Sequence, residues 1–450
     1  MKKINIAYIG GGSRGWARTL MNDLALEESL TGSVRLYDID MESALMNEKI
    51  GNLYNEAAGA VANWEYIAVN SLREALRGAD FVVVSILPGS FDDMENDVHY
   101  AEKYGIYQSV GDTVGPGGIM RSIRGIPMYA EIAEAIRMEC PEATVISYTN
   151  PLTVLTRTLF KIFPGIKAFG CCHEVFGTQR LLSSMLKDMG IADNAKKEDI
   201  KVNVLGINHF TWLDKAEYNG MDLFPIYKEF VDKYYESGFC AGYNWNDNCF
   251  SSGNRVKFDL FRQYGLIAAA GDRHLAEFCP GWYLKNPKTA EFWKFGLTPV
   301  SWRKAELIER IEKTKRLFNG IEKPEIRNTG EEGVALIKAV SGIGEVASNV
   351  NSSNKGQHEG VPMGAVVETN AMFSADGVQP VNAGRLPRDI EALVLRHIYN
   401  QESLVEACLK GSRKGVLSVF LNDPLVHLPK VQAVELFNAM FSKNVIVWEG

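Results

Sequence analysis

Residues 4–15 read Ile4-Asn5-Ile6-Ala7-Tyr8-Ile9-Gly10-Gly11-Gly12-Ser13-Arg14-Gly15. The first six form a short run of buried-strand character, and the glycines follow at once with the spacing G-x-G-x-x-G at Gly10, Gly12 and Gly15. A helical pattern comes next, with Trp16, Leu20 and Leu24 on one side. A second strand, Ser33-Val34-Arg35-Leu36-Tyr37-Asp38, then ends in an acid. Each piece has a physical task. The first glycine makes the turn, the second lets backbone approach a pyrophosphate, and the third lets the helix pack closely with its N-terminus toward the phosphates. Gly10, Gly12, Ser13 and Gly15 are therefore candidate cofactor contacts. Asp38 stands where an acid hydrogen-bonds a ribose 2′-hydroxyl, which favours NAD. Arg14, inside the loop, could instead meet the 2′-phosphate of NADP. The glycine spacing alone describes any tight strand-to-helix turn; strand, glycines, helix, strand and terminal acid together describe a dinucleotide site.

The alternation continues outward from this unit. Asp80-Phe81-Val82-Val83-Val84-Ser85-Ile86 is a mostly apolar strand, as in a parallel sheet covered on both faces. The spacing from Ile126 to Met138 predicts a helix. Ala143–Thr149 is another strand, stopped by Asn150-Pro151, and Lys167–Gly170 is a last one leading into Cys171-Cys172-His173. A β-α-β-α rhythm of this kind predicts an α/β fold with a doubly wound, Rossmann-type parallel sheet over residues 1–196. Ligands of such sheets sit at the carboxyl ends of the strands, where Asn150, Cys172 and His173 all fall. Between strand and helix, Gly111-Asp112-Thr113-Val114-Gly115-Pro116-Gly117-Gly118 is read as a glycine-rich loop over that edge.

Past residue 197 the rhythm is lost. Val202–Phe210 begins as an alternating strand, then aromatics crowd in at Phe224, Tyr227, Tyr234, Tyr235, Tyr243 and Trp245. Asn351–Gln357 is the most polar stretch and is expected to be an exposed loop. Glu368-Thr369-Asn370 closes a strand that starts near Gly364, and helices dominate from Asp389 on. Residues 197–450 are read as an α+β domain for substrate, metal and subunit contacts, with the substrate held between the two halves.

Composition restricts the function class. Lys and Arg number 48 against 55 Asp and Glu, a net charge of −7, so no basic face for nucleic acid is expected. No apolar run approaches the ~18 residues of a membrane span, and Met1-Lys2-Lys3 leads straight into a strand without a leader-like apolar segment. Seven cysteines at no framework spacing read as reduced thiols of a cytoplasmic protein. Cys172-His173, His209 after Gly206-Ile207-Asn208, and Gly271-Asp272-Arg273-His274 are candidate chemistry positions. Any one of them alone reads as readily as a buried cysteine or a satisfied structural histidine.

As an ensemble these motifs resemble glycoside hydrolase family four, the NAD- and metal-dependent glycosidases. The resemblance spans nearly the whole chain. It rests on Gly10-Gly11-Gly12-Ser13, Leu36-Tyr37-Asp38-Ile39-Asp40, Gly115-Pro116-Gly117-Gly118 with Arg124-Gly125-Ile126-Pro127, Thr149-Asn150-Pro151, Cys172-His173-Glu174-Val175, Gly206-Ile207-Asn208-His209 and Leu421-Asn422-Asp423-Pro424-Leu425-Val426. The Cys-His-Glu-Val form is similar to the α-galacturonidase subgroup and departs from members acting on phosphorylated sugars.

The resemblance implies a fold like lactate and malate dehydrogenases and a redox-elimination reaction. NAD⁺ removes hydride from C3 of the sugar, and the ketone acidifies the C2 proton. A base takes that proton while a metal stabilises the enediolate. The glycosidic oxygen leaves, water adds, and NADH returns the hydride. By family position the metal, manganese, is held by Cys172 and His209, and Asn150 binds a substrate hydroxyl. Asp112 and His173 are alternative general acids, and His173 also lines the substrate site. For the C2 base the resemblance favours Asp272, with Tyr264 as runner-up. Ligand softness would have suggested zinc or copper, so manganese is carried by the resemblance alone. A uronate substrate needs a cation for its carboxylate, for which Arg14, Arg121, Arg273 and Arg385 are available. Members form dimers or tetramers, so a homodimer or homotetramer is implied. An NAD-dependent dehydrogenase of a hydroxy acid or sugar, and a catalytically silent NAD-binding sensor, share the same N-terminal unit.

Overall fold

Nine strands form the central sheet of the protein, for which a computed structural model describes residues 1–444. Six come from the N-terminal half: β1 (Lys2–Ile9), β2 (Leu30–Tyr37), β3 (Trp64–Ala68), β4 (Phe81–Val84), β5 (Thr144–Ser147) and β6 (Lys167–Gly170). They run parallel in the order β3-β2-β1-β4-β5-β6. The winding reverses between β1 and β4, so a crevice opens above Ile9 and Val84, which lie opposite each other. Every residue of β4 and β5 is buried, as continuous apolar runs in a doubly covered sheet require. Tyr8, Trp64 and Tyr66 pack on one face, and Ile123, Ile126 and Tyr129 on the other.

A second, antiparallel sheet contains β7 (Ile200–Ile207), β8 (Phe210–Tyr218), β9 (Met221–Asp222) and β10 (Ile267–Ala268). β11 (Val346–Ser353), β12 (Val366–Ser374) and β13 (Gly377–Pro380) do not join it. They extend the first sheet beyond β6, with Asn351 opposite Gly170. One side chain ties the two sheets: Asn370 of β12 accepts the Val204 N–H at 2.9 Å and donates to the Val202 carbonyl at 3.2 Å. The chain closes with helices Arg388–Leu409, Arg413–Asn422 and Lys430–Phe441.

Three sequence expectations are corrected here. Gly115–Gly118 is not loop but the first turn of the helix Gly115–Glu139. A Cβ at Gly117 would stand 2.6 Å from the Gly111 carbonyl, and one at Gly118 2.4 Å from Thr113 carbonyl carbon; the glycines serve close packing. Asn351–Gln357 is not an exposed loop. Asn351, Ser352 and Ser353 belong to β11, and Asn351, Asn354 and Gln357 are buried. Asn354 replaces solvent by donating to the His358 and Val361 carbonyls at 3.0 and 2.9 Å. Glu368-Thr369-Asn370 lies inside β12, which runs on to Ser374, rather than closing it. Among the described residues no helix is long and apolar enough to cross a membrane, and all seven cysteines are free.

Candidate active site

The turn after β1 is shaped by contacts only glycine tolerates. Gly10 adopts φ +96°, and a Cβ there would lie 2.1 Å from the Ser85 carbonyl oxygen at the end of β4. A Cβ on Gly12 would lie 2.8 Å from that of Ser43 and 3.0 Å from Asp38 Oδ2. Asp38 accepts the Gly12 N–H at 2.8 Å, so its carboxylate stands directly beside the turn. Gly15 then caps the helix Trp16–Ala25 without any side-chain acceptor for the first amides. Uncapped amides above a glycine turn, with an acid at the end of the next strand, fit a dinucleotide.

A second group forms where β6 and the β7–β8 connection end. Cys172 is largely enclosed and His209 is buried. His209 follows Asn208 across a cis peptide. Its Nδ1 lies 3.2 Å from Thr113 Oγ1, which fixes the ring and leaves Nε2 to face a ligand. The His274 ring stacks on it, with centroids 3.9 Å apart. Glu174 joins these rings: its Oε1 is 3.8 Å from His274 Nε2, and its Oε2 accepts the Gly271 N–H at 2.6 Å. Burial, with the neighbouring His274 ring, pushes His209 down to about 3, so it is a neutral imidazole at pH 7. Burial, with Glu368 and Glu174 nearby, pushes the Cys172 thiol well up; a cation is needed to make it a thiolate.

Among the described residues no three of His, Cys, Asp and Glu converge on one point. Cys172 and His209 would offer a metal two protein donors. A neutral imidazole with one nitrogen anchored, beside an enclosed thiol, is a donor set that fits a divalent metal.

Asp112 occupies the third corner. It accepts a bond from Thr113 Oγ1 at 2.9 Å, and Asn150 Nδ2 approaches its Oδ2 at 3.4 Å. Burial would raise its carboxyl, but Arg121, His274 and Arg303 outweigh that and hold it below the usual carboxylate range. Arg121 donates to the Asn150 carbonyl at 2.9 Å. His173 stays half-exposed, 6.1 Å from Trp16 in a stack and 3.5 Å from Glu331. It lines a cavity with Trp16, Tyr148, Cys172, Glu331 and Asn349.

Asp112, Asn150, Cys172, His173 and His209 thus gather at the strand ends. Asp272 and Tyr264 do not face this group. Asp272 accepts the Val256 and Lys257 amides at 3.2 and 3.1 Å, capping the helix Arg255–Tyr264, and burial pushes it up to about 6. Tyr264 ends that helix, edge-on to Trp212 at 5.8 Å. Sequence reasoning missed roles for Glu174, His274, Glu277 and Glu368. Glu277 accepts the Val110 and Gly111 amides at 2.7 and 2.9 Å, fastening the loop of Asp112. Glu368 holds Asn208 Nδ2 at 3.1 Å and Asn349 Nδ2 at 2.6 Å. Glu174 and His274 both stood inside motifs already singled out, next to Cys172-His173 and Asp272-Arg273. For the other two, no local signal existed.

Residues 5–188 match the model for family 4 glycosyl hydrolases, and residues 204–426 match that family's C-terminal domain. The chain belongs to family 4 of the glycosyl hydrolases. Within the family it is 59% identical, over 450 residues, to an α-galacturonidase of Thermoanaerobacterium saccharolyticum, covering 99% of this chain and 97% of that one. It is 53% identical, over 441 residues, to an α-galacturonidase of Bacillus subtilis, covering 98% and 97%. A solved structure of a putative glucosidase from Bacillus subtilis superposes with a TM-score of 0.94 at 53% identity, covering 98% of this chain and all of that one. A 6-phospho-α-glucosidase from gut microorganisms, solved with NAD and Mn²⁺, shares the fold at a TM-score of 0.81 and 21% identity, each chain covered to 99%.

Proposed function

We propose that this family 4 glycosidase hydrolyses α-galacturonides with NAD and Mn²⁺, by oxidation, elimination and re-reduction at a single site. The observation that carries the reading is full-length identity above one half to α-galacturonidases, in a chain with Cys172, His209 and the glycine turn at one sheet edge. When bound, NAD would supply a reversible hydride acceptor and the metal a Lewis acid for the sugar oxygens.

The chain's own residues do the rest. The uncapped amides after Gly15 receive the pyrophosphate, and the Asp38 carboxylate accepts from a ribose hydroxyl and repels a 2′-phosphate. Thr113 holds the His209 ring through Nδ1, and His209 and Cys172 would hold the metal. Asn150 binds a sugar hydroxyl. With Asp272 and Tyr264 turned elsewhere, Asp112, ionised and enclosed and so not the acid, is the carboxylate left to accept the C2 proton. His173, half-exposed beside Glu331, gives a proton to the departing glycosidic oxygen on the side where the aglycone leaves. Asp272 supports this site from below as a helix cap. Residues 1–196 carry the dinucleotide; residues 197–450 add His209, substrate contacts and the surface for a homodimer or homotetramer. Seven free thiols suit the cytoplasm.

The test is cleavage of an aryl α-galacturonide in D₂O with NAD⁺, Mn²⁺ and a reductant. Aglycone release with deuterium at C2 and no net NADH is expected. Steady NADH accumulation without aglycone release would replace this reading with a dehydrogenase.

A further inference from the structure

The arginines of the molecule can be sorted by what already holds them. Arg14 donates to Ser43 Oγ at 2.6 Å and lies 3.6 Å from Asp40. Arg385 grips Glu391 through two bonds of 2.9 Å each. Arg273 is spent on backbone: it donates to the Gly296 carbonyl at 3.2 Å and the Ser109 carbonyl at 2.6 Å, and it also contacts Thr298. Two remain. Arg121 is buried, forms no ion pair and makes one hydrogen bond, from Nε to the Asn150 carbonyl, so both its terminal nitrogens are free. Arg303, in the first turn of the helix Val300–Phe318, has neither hydrogen bond nor ion pair, and its Nε is buried without a partner. Its guanidinium lies 5.8 Å from the Phe250 ring, which Arg273 also approaches at 5.2 Å. The Thr298 amide, just before that helix, is bonded to the Ser109 carbonyl at 3.1 Å, which sets the start of the helix beside the loop that leads to Asp112.

Both cations act on Asp112, and on each other. Neither forms an ion pair with Asp112, and Arg121 is bonded to the carbonyl of Asn150, whose side chain reaches the Asp112 carboxylate at 3.4 Å. Desolvating an unpaired guanidinium is costly unless an anion completes it. A second carboxylate, arriving with the substrate, would do so.

We propose that Arg121 and Arg303 bind the C6 carboxylate of a uronic acid sugar, and so make the site select uronides over neutral glycosides. The proposal rests on the galacturonidase reading. Arg303 presents its planar donor edge to the carboxylate, while Arg121, anchored through Nε to the strand end at Asn150, fixes the sugar against the loop of Asp112.

The test compares kcat/KM for an aryl α-galacturonide and the matching aryl α-galactoside in wild type, Arg303→Gln and Arg303→Lys. In Arg303→Gln the uronide-to-galactoside ratio falls on the order of 100-fold, mainly through KM, as loss of a charge-assisted bidentate contact implies. Arg303→Lys recovers part of the KM. Free galacturonate, which in wild type competes better than galactose, loses that advantage in both Arg303→Gln and Arg121→Lys. An unchanged ratio, or an equal fall for both substrates, overturns the proposal. Wild type that cleaves no uronide at all overturns instead the functional reading on which it rests.

Discussion

Replacing Gly10 by alanine is the sharpest probe of the dinucleotide turn. The residue sits at φ +96°, which costs an L-residue about 1–2 kcal/mol. The larger effect is steric. The new methyl would stand 2.1 Å from the Ser85 carbonyl oxygen, where an ordinary contact needs well over 3 Å, so the turn or the end of β4 must shift by about an ångström. The Ser85 amide is fixed to the Ile9 carbonyl at 2.9 Å, and the Gly10 and Gly11 amides to the Tyr37 carbonyl, each at 2.9 Å. The turn therefore cannot yield without pulling β1 away from β2 or β4. A displacement of that size breaks one or two hydrogen bonds to the pyrophosphate, each worth about 1.5–3 kcal/mol. The Kd for NAD should rise by about 10- to 100-fold or more, with a melting temperature lowered by a few degrees from the strain. Isothermal titration with NAD and a thermal melt measure both. Binding of NAD by Gly10→Ala within threefold of wild type would refute the claim that this turn cradles the phosphates.

Three further outcomes follow from the same geometry. Cys172→Ser should abolish saturable Mn²⁺ binding, read by the loss of the free-ion paramagnetic signal, while the Kd for NAD is unchanged; an intact Mn²⁺ isotherm removes Cys172 as a ligand. Thr113→Val frees Nδ1 of His209, and Mn²⁺ affinity should fall about 10-fold, with no change if the His209 ring is held otherwise. Burial pushes Glu277 up to about 7, above its unfolded value of 4.5, so the native state keeps a proton the unfolded chain releases. Its contribution to stability therefore falls as pH rises from about 4.5 to 7 and is level above that. Glu277→Gln, which keeps the acceptor for Val110 and Gly111, should gain on wild type by about 1–3 kcal/mol across that window in denaturant melts; parallel curves would show that Glu277 titrates normally.

Local chemistry made the N-terminal half readable. Strand, turn and helix at residues 4–25, and the buried runs of β4 and β5, are written in neighbouring residues, since period and glycine spacing act over a few positions. The residues at strand ends were found for the same reason. What stayed hidden is non-local. Nothing near Asn351 announces that it will pair beside Gly170, 181 positions away. Polar residues in a strand look like loop when the carbonyls they satisfy are not yet in view. The family resemblance favours Asp272 as the base, yet folding turns its carboxylate to the amides at the start of the helix Arg255–Tyr264. Arg303 carries no motif at all; what sets it apart is the absence of any hydrogen-bond or ion-pair partner among the described residues.

The extension of the parallel sheet by β11–β13 has a mechanical consequence. Many enzymes that grip a sugar between two halves close around it by rotating on a hinge. Here the C-terminal half contributes strands to the N-terminal sheet, and Asn370 rivets that sheet to β7 through two backbone bonds. Opening the halves would mean tearing β11 from β6 just above Cys172. A hinge between the halves would have to break this pairing. The strand ends that carry Asn150 and Cys172 are thus positioned by pairing that spans both halves of the chain.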